Sequence, residues 1–183
     1  ESRIFGEAIT EIGKTSAGHS KLKKIWSIFM SLDDTILATP PSAFELNSII
    51  TALANRGKVK SAINLYREVT GKDGDSDCKI KSDIYTASAL LNMLAESIST
   101  TNISIIRSID NTKKSSLDSP CWQWNEAVSI LKEFEKEMTL NNQVYSLMLK
   151  VNEEAMDLCR SSGSFKHPAT KNAMSILDRM KVS

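Results

Sequence analysis

Apolar residues return every three or four positions along much of this chain. Leu46, Ile49, Ile50 and Leu53 form one such stripe, and Val59, Ala62, Ile63, Tyr66 and Val69 form a second. That spacing predicts two amphipathic helices. Gly57 lies between them, where a helix C-terminus favours a residue able to take left-handed backbone angles. The connection is only a few residues, so the two helices are expected to lie antiparallel.

The second helix recurs. Ala62-Ile-Asn-Leu-Tyr-Arg-Glu-Val69 matches Ala127-Val-Ser-Ile-Leu-Lys-Glu-Phe134 and Ala173-Met-Ser-Ile-Leu-Asp-Arg-Met180, and Ile25-Trp-Ser-Ile-Phe-Met-Ser-Leu32 is a weaker fourth copy. Repetition on this scale marks a solenoid, in which each unit hides its apolar face against its neighbours. The repeated alanines explain themselves in that setting. Ala62, Ala127 and Ala173 carry nothing beyond Cβ, so helices can approach closely where a larger side chain would wedge them apart.

The first helices of each pair are expected at Arg3 to Ile12, Ala43 to Asn55, Ile84 to Ser97 and Asn142 to Arg160. Copy spacings of 37, 65 and 46 residues leave the excess in polar connectors. Gly71 to Asp77 reads as a turn-rich loop. Ser99 to Pro120, with six serines, reads as an insertion or a short extra helix, and Ser161 to Pro168 as a third connector. Trp122 and Trp124, just before a helix, are expected to pin the insertion to the stack. The predicted fold is therefore a single all-α domain, a right-handed solenoid of three to four hairpins with units near 1–42, 43–83, 84–141 and 142–183.

These residues resemble the pentatricopeptide repeat family, whose unit is a helical hairpin of roughly 35 residues. The likeness is strongest from Ala43 to Asp83, where "AFELNSIITALANRGKVKSAINLYREV" follows the family pattern and Lys81-Ser-Asp-Ile84 is similar to its Lys-Pro-Asp-Val junction, with Ser82 in place of proline. "DIYTASALLNML" opens a further unit in the family manner. Tetratricopeptide repeats share the architecture, but their Trp, Gly and Tyr positions are missing here.

The resemblance implies single-stranded RNA binding, one base per repeat, read by two or three side chains. It designates Asn47 and Asp83 in the best unit, a uridine-type combination, with Phe44 flanking the base. In the next unit it designates Ser88 and Asn141, with Tyr85 flanking, an adenine-type combination. In the last unit it reaches only Ser146 and Gln143. Asn47 and Asp83 also suit helix capping, which needs no RNA. Phosphate contacts would fall to Arg56, Lys58, Lys60, Lys79 and Lys81.

Composition adds limits. Lys plus Arg number 23 against 22 for Asp plus Glu, so the formal charge of +1 sets up no general field for nucleic acid, and any such surface is a local patch. Cys78, Cys121 and Cys159 are odd in number and lack a C-x-x-C pair, so neither a disulfide framework nor a zinc site is expected. No apolar run approaches the roughly 20 residues of a membrane span. His19 and His167 have no ligand-spaced partner, and Gly13-Lys14-Thr15 lacks the first glycine of a phosphate loop, since Ala8 stands there. No catalytic constellation, metal or cofactor is expected. The chain begins at Glu1, as expected of a product whose organelle-targeting segment has been removed. Two roles fit: an RNA-binding adaptor of a mitochondrion or plastid, and a structural subunit of a large organelle assembly that uses the same surface to grip protein.

Overall fold

The computed structural model describes residues 42–71, 80–108, 122–161 and 168–181, together with Glu7, Ala8, Glu11, Lys24, Ser27 and Ile28. Those six isolated residues are helical; the rest of the helices expected at 3–12 and 25–32 lies outside the described residues. The described residues are helical, with no strand among them. Among the described residues six helices have defined ends: α1 (Ala43–Ala54), α2 (Val59–Thr70), α3 (Ile84–Ser108), α4 (Trp122–Glu137), α5 (Asn142–Ser161) and α6 (Ala169–Met180). The chain divides into two compact units, residues 1–89 and 90–183, with the division inside α3.

In the first unit α1 and α2 form the expected hairpin. Ser42 starts α1. Its backbone N–H and hydroxyl both donate to Glu45 Oε2, at 2.9 and 2.6 Å, and its oxygen accepts from the Phe44 N–H. This is the reciprocal capping box, and it satisfies donors the first turn leaves open. The other end of α1 closes on Gly57, at φ 66°. Lys58 N–H bonds to the Leu53 carbonyl at 3.0 Å and Gly57 N–H to the Ala54 carbonyl at 2.8 Å, the two bonds of a Schellman stop. Leu46, Ile50 and Leu53 from α1 and Ala62 and Tyr66 from α2 are fully buried. The apolar stripes read from the sequence are the faces that pack.

α3 runs eleven residues past its expected end at Ser97. The Ser- and Thr-rich stretch looked like a connector because hydroxyls compete for backbone partners. Here they satisfy themselves within the helix: Thr100 and Thr101 donate to the carbonyls of Glu96 and Ser97, each at 2.8 Å. Ile98 meanwhile continues the buried line of Leu91 and Leu94. Residues 109–121, the remainder of the expected insertion, lie outside the described residues, as do 72–79 and 162–167.

In the second unit α5 packs on both α4 and α6. A buried amide joins all three: Asn152, fully enclosed on α5, accepts from the Trp124 indole N–H of α4 at 2.8 Å and donates to the Asn172 side chain of α6 at 3.0 Å. Trp124 thus belongs to the first turn of α4 and ties that helix to α5, while Trp122 beside it is exposed. Of the insertion the tryptophans were expected to pin, residues 99–108 belong to α3 and 109–120 lie outside the described residues.

The repeated alanines separate into two cases. Ala62 and Ala127 are fully buried; Ala173 is half-buried, because α6 presents its equivalent stripe to solvent. Leucine at Ala127 is therefore expected to overpack and lower stability by about 1–3 kcal/mol. At Ala173 the same change should stay within about 0.5 kcal/mol. Urea unfolding of Ala127→Leu and Ala173→Leu measures both, and equal losses would contradict the close-approach role.

Candidate nucleic-acid interface

The first turns of α1 and α3 supply the site. Asp83 precedes α3 and caps it: Thr86 N–H donates to Asp83 Oδ1 at 2.8 Å, the Thr86 hydroxyl donates to the same oxygen at 2.9 Å, and Asp83 N–H returns a bond to that hydroxyl at 3.2 Å. Thr86 is fully buried, which holds the carboxylate in one orientation. Asn47, in the second turn of α1, donates through Nδ2 to Asp83 Oδ1 at 3.3 Å across 36 residues of sequence. Capping and pairing coexist. Among the described residues, the hydrogen bonds to the Asp83 carboxylate all fall on Oδ1, so Oδ2 remains as an acceptor.

Asn47 itself is half-buried, and its Oδ1 is enclosed with no hydrogen-bond partner. An orphaned buried acceptor of this kind normally finds a protein group, a water or a ligand donor. Two exposed aromatics start the same two helices. Phe44, on α1, is 50% exposed and Tyr85, on α3, is 70% exposed. Large aromatics in water at helix starts contribute nothing to the core, whereas a planar base stacked on them gains apolar contact. The group therefore offers two ring faces, an anionic acceptor and an amide. A base edge with an N–H donor beside carbonyl oxygens matches that set.

The other designated residues are placed differently. The Ser88 hydroxyl bonds to the Ile84 carbonyl of its own helix at 3.0 Å, and Asn141 caps α5 by accepting from Val144 N–H at 3.1 Å. Each has a local partner, and the two belong to different compact units. Gln143 and Ser146 are exposed on the first turns of α5. Lys81 is exposed two residues before Asp83, beside the site. Arg56, Lys58 and Lys60 stand at the α1–α2 turn, the opposite end of a 12-residue helix and so about 18 Å along the hairpin from Phe44. Lys79 lies outside the described residues, as do His19, His167, Cys78, Cys121 and Gly13-Lys14-Thr15.

Thr86 is the member that sequence reading passed over. Its signal is present as Asp83-x-x-Thr86, a capping spacing like that of Ser42-x-x-Glu45.

An open groove of about 560 Å³ occurs elsewhere, lined by Glu135, Met138, Leu140, Tyr145 and Arg179 among others. Arg179 pairs with Glu135, and Tyr145 is hydrogen-bonded to the same carboxylate, so its charges bind three helices together. Burial pushes the Tyr145 hydroxyl above the ordinary tyrosine range, and the charge of Glu135 adds to the effect. Cys159 is likewise raised by burial. Among the described residues no cluster of His, Cys, Asp or Glu is arranged to hold a metal, and no helix is long and apolar enough to cross a membrane.

No protein-family model matches the chain, and no curated protein matches it. The likeness to pentatricopeptide repeats stands on the residues quoted above.

Two measurements bear on this geometry. Asp83→Ala should cost about 1 kcal/mol through loss of the α3 cap, while Asp83→Asn, which keeps a capping oxygen, should cost little; thermal unfolding distinguishes them. Tyr145 has a raised folded pKa, so its protonated form contributes stability below the unfolded value and that contribution is lost as pH rises above about 10. Tyr145→Phe should flatten the fall in stability above that pH, measured by urea titration at pH 8 to 11.

Proposed function

We propose that this is a non-enzymatic single-stranded RNA-binding protein of the pentatricopeptide type, a right-handed solenoid of three to four hairpins that works in a mitochondrion or plastid. The observation that carries the reading is the Asn47–Asp83 hydrogen bond at 3.3 Å, with an exposed aromatic at the start of each of α1 and α3. The resemblance designates those two residues as a base-reading pair, and capping alone gives Asn47 no reason to meet Asp83.

In this reading a uridine-type base inserts beside Phe44 and Tyr85. Its N–H donates to Asp83 Oδ2, and one of its carbonyl oxygens accepts the second Nδ2 hydrogen of Asn47. Lys81 answers the neighbouring phosphate. A stacked base contributes about 1–3 kcal/mol, so one such site alone binds weaker than millimolar, and useful affinity draws on several nucleotides and on charge. Arg56, Lys58 and Lys60 serve a more distant part of the strand.

Fluorescence anisotropy with labelled ten-nucleotide oligo-U and oligo-A at low salt tests the reading. Oligo-U should bind more tightly. Phe44→Ala with Tyr85→Ala, both at exposed positions, should weaken it about tenfold or more. Asp83→Asn should reduce the preference for oligo-U while keeping the α3 cap, and binding should fall as salt rises because phosphates shed counterions. If neither RNA is retained at low salt, the RNA reading fails and the protein-gripping role in an assembly takes its place.

A further inference from the structure

Three helices, α1, α3 and α5, start on one plan. A polar residue precedes each helix, and its side chain bonds to the residue three places on: Ser42 to Glu45, Asp83 to Thr86 and Asn141 to Val144. That third residue is fully enclosed in every case. The three starts differ in what they leave over. At α1 the Ser42 hydroxyl donates to Glu45 Oε2 at 2.6 Å while its oxygen accepts the Phe44 N–H at 3.3 Å, so the capping side chain is used up. At α5 the Asn141 side-chain oxygen accepts from the Val144 N–H at 3.1 Å, and valine has no hydroxyl with which to return a bond.

Starting a helix therefore does not require a hydroxyl at this place, since α5 starts with valine in it. At α3 the hydroxyl is present and does something else. A carboxylate held by one backbone N–H can pivot about that bond. Thr86 adds a second bond to the same oxygen, its hydroxyl reaching Asp83 Oδ1 at 2.9 Å beside its N–H at 2.8 Å, and the Asp83 N–H locks that hydroxyl in turn at 3.2 Å. Threonine is stiff at χ1 and this one is enclosed, so the anchor itself is fixed. Asn47 meets the oxygen so held, at 3.3 Å, and Oδ2 takes none of these bonds.

We propose that Thr86 is the positioning residue of the Asn47–Asp83 pair: its hydroxyl sets the plane of the Asp83 carboxylate, which aligns Oδ1 with Asn47, leaves Oδ2 for a ligand, and so governs which base the pair prefers. Thr86 itself is enclosed and touches no base; it acts through Asp83. The base preference rests on the RNA reading, whereas the alignment of Asp83 with Asn47 does not.

Thr86→Val and Thr86→Ser in the full chain test it. Valine keeps the branched shape and the capping N–H and copies the α5 start, so circular dichroism should retain the helix content. Loss of that content would make the hydroxyl a folding requirement and overturn the proposal. The first measurement needs no RNA. In ¹⁵N-labelled protein the Asn47 side-chain amide signals should shift in Thr86→Val and return in Thr86→Ser, while those of Asn152 stay in place; unmoved Asn47 signals in Thr86→Val overturn the proposal. The second is anisotropy with ten-nucleotide oligo-U and oligo-A. The preference for oligo-U should fall several-fold in Thr86→Val and persist in Thr86→Ser, whereas a purely structural loss weakens both RNAs alike and leaves their ratio unchanged. An unsubstituted chain that prefers oligo-U beside a Thr86→Val chain with the same preference overturns the specificity role and leaves the RNA reading standing. If the unsubstituted chain retains neither RNA, the RNA reading fails, and the amide signals alone decide whether Thr86 aligns Asp83.

Discussion

A helix of twelve residues is not stable alone in water, since nucleation costs more than three turns of hydrogen bonds return. α1, α2 and α6 are all of that length, so each exists only by burying a stripe against a neighbour. How near that neighbour comes is set by the smallest residue on the stripe. Fully buried Ala62 and Ala127 occupy that place, and the large side chains a turn further on, Tyr66 and Leu131, fill the space the approach defines. Interior packing at protein density leaves little slack for exchanging the two kinds of position.

Local stop and start signals then fix where each stripe begins. The Ser42–Glu45 box and the left-handed Gly57 set the two ends of α1, so Phe44 and Asn47 are delivered to one end of the hairpin and the basic turn residues to the other. Asp83 does two things with one carboxylate. Its Oδ1 gathers Thr86 and Asn47, which fixes the group, and its Oδ2 takes none of those bonds. In the proposed RNA reading, a group held by the same bonds that start a helix is oriented before any ligand arrives, which reduces the ordering cost of binding.

The α1–α2 hairpin, its glycine stop and the start of α3 were legible because each rests on residues within one helix turn of one another. The hydrogen bond between Asn47 and Asp83 joins two residues the resemblance had designated for reading a base, but the bond itself was not legible, since nothing local links residues 36 apart. The full length of α3 was hidden by Thr100 and Thr101, whose composition reads as connector until their hydroxyls are seen to return to their own helix. The spatial split between Lys81 and the Arg56–Lys60 group was hidden as well. Along the chain all are near the site, but a hairpin puts its turn at the far end. The Trp124–Asn152–Asn172 chain left no trace in the periodicity, because buried amides occupy apolar positions without changing their spacing.

That enclosed amide has a further consequence. Near-identical apolar stripes on successive helices are interchangeable as far as burial is concerned, and a chain built from them risks docking a helix on the wrong neighbour or one turn out of place. Asn152 distinguishes the correct arrangement. Any misalignment of α5 strands the buried Trp124 indole and the enclosed Asn152 amide, and the stranded groups disfavour the wrong docking more strongly than the correct bonds favour the right one. Its contribution is to fidelity of assembly more than to depth of the native well, in the way a single key tooth rejects other locks while adding little to the grip of its own.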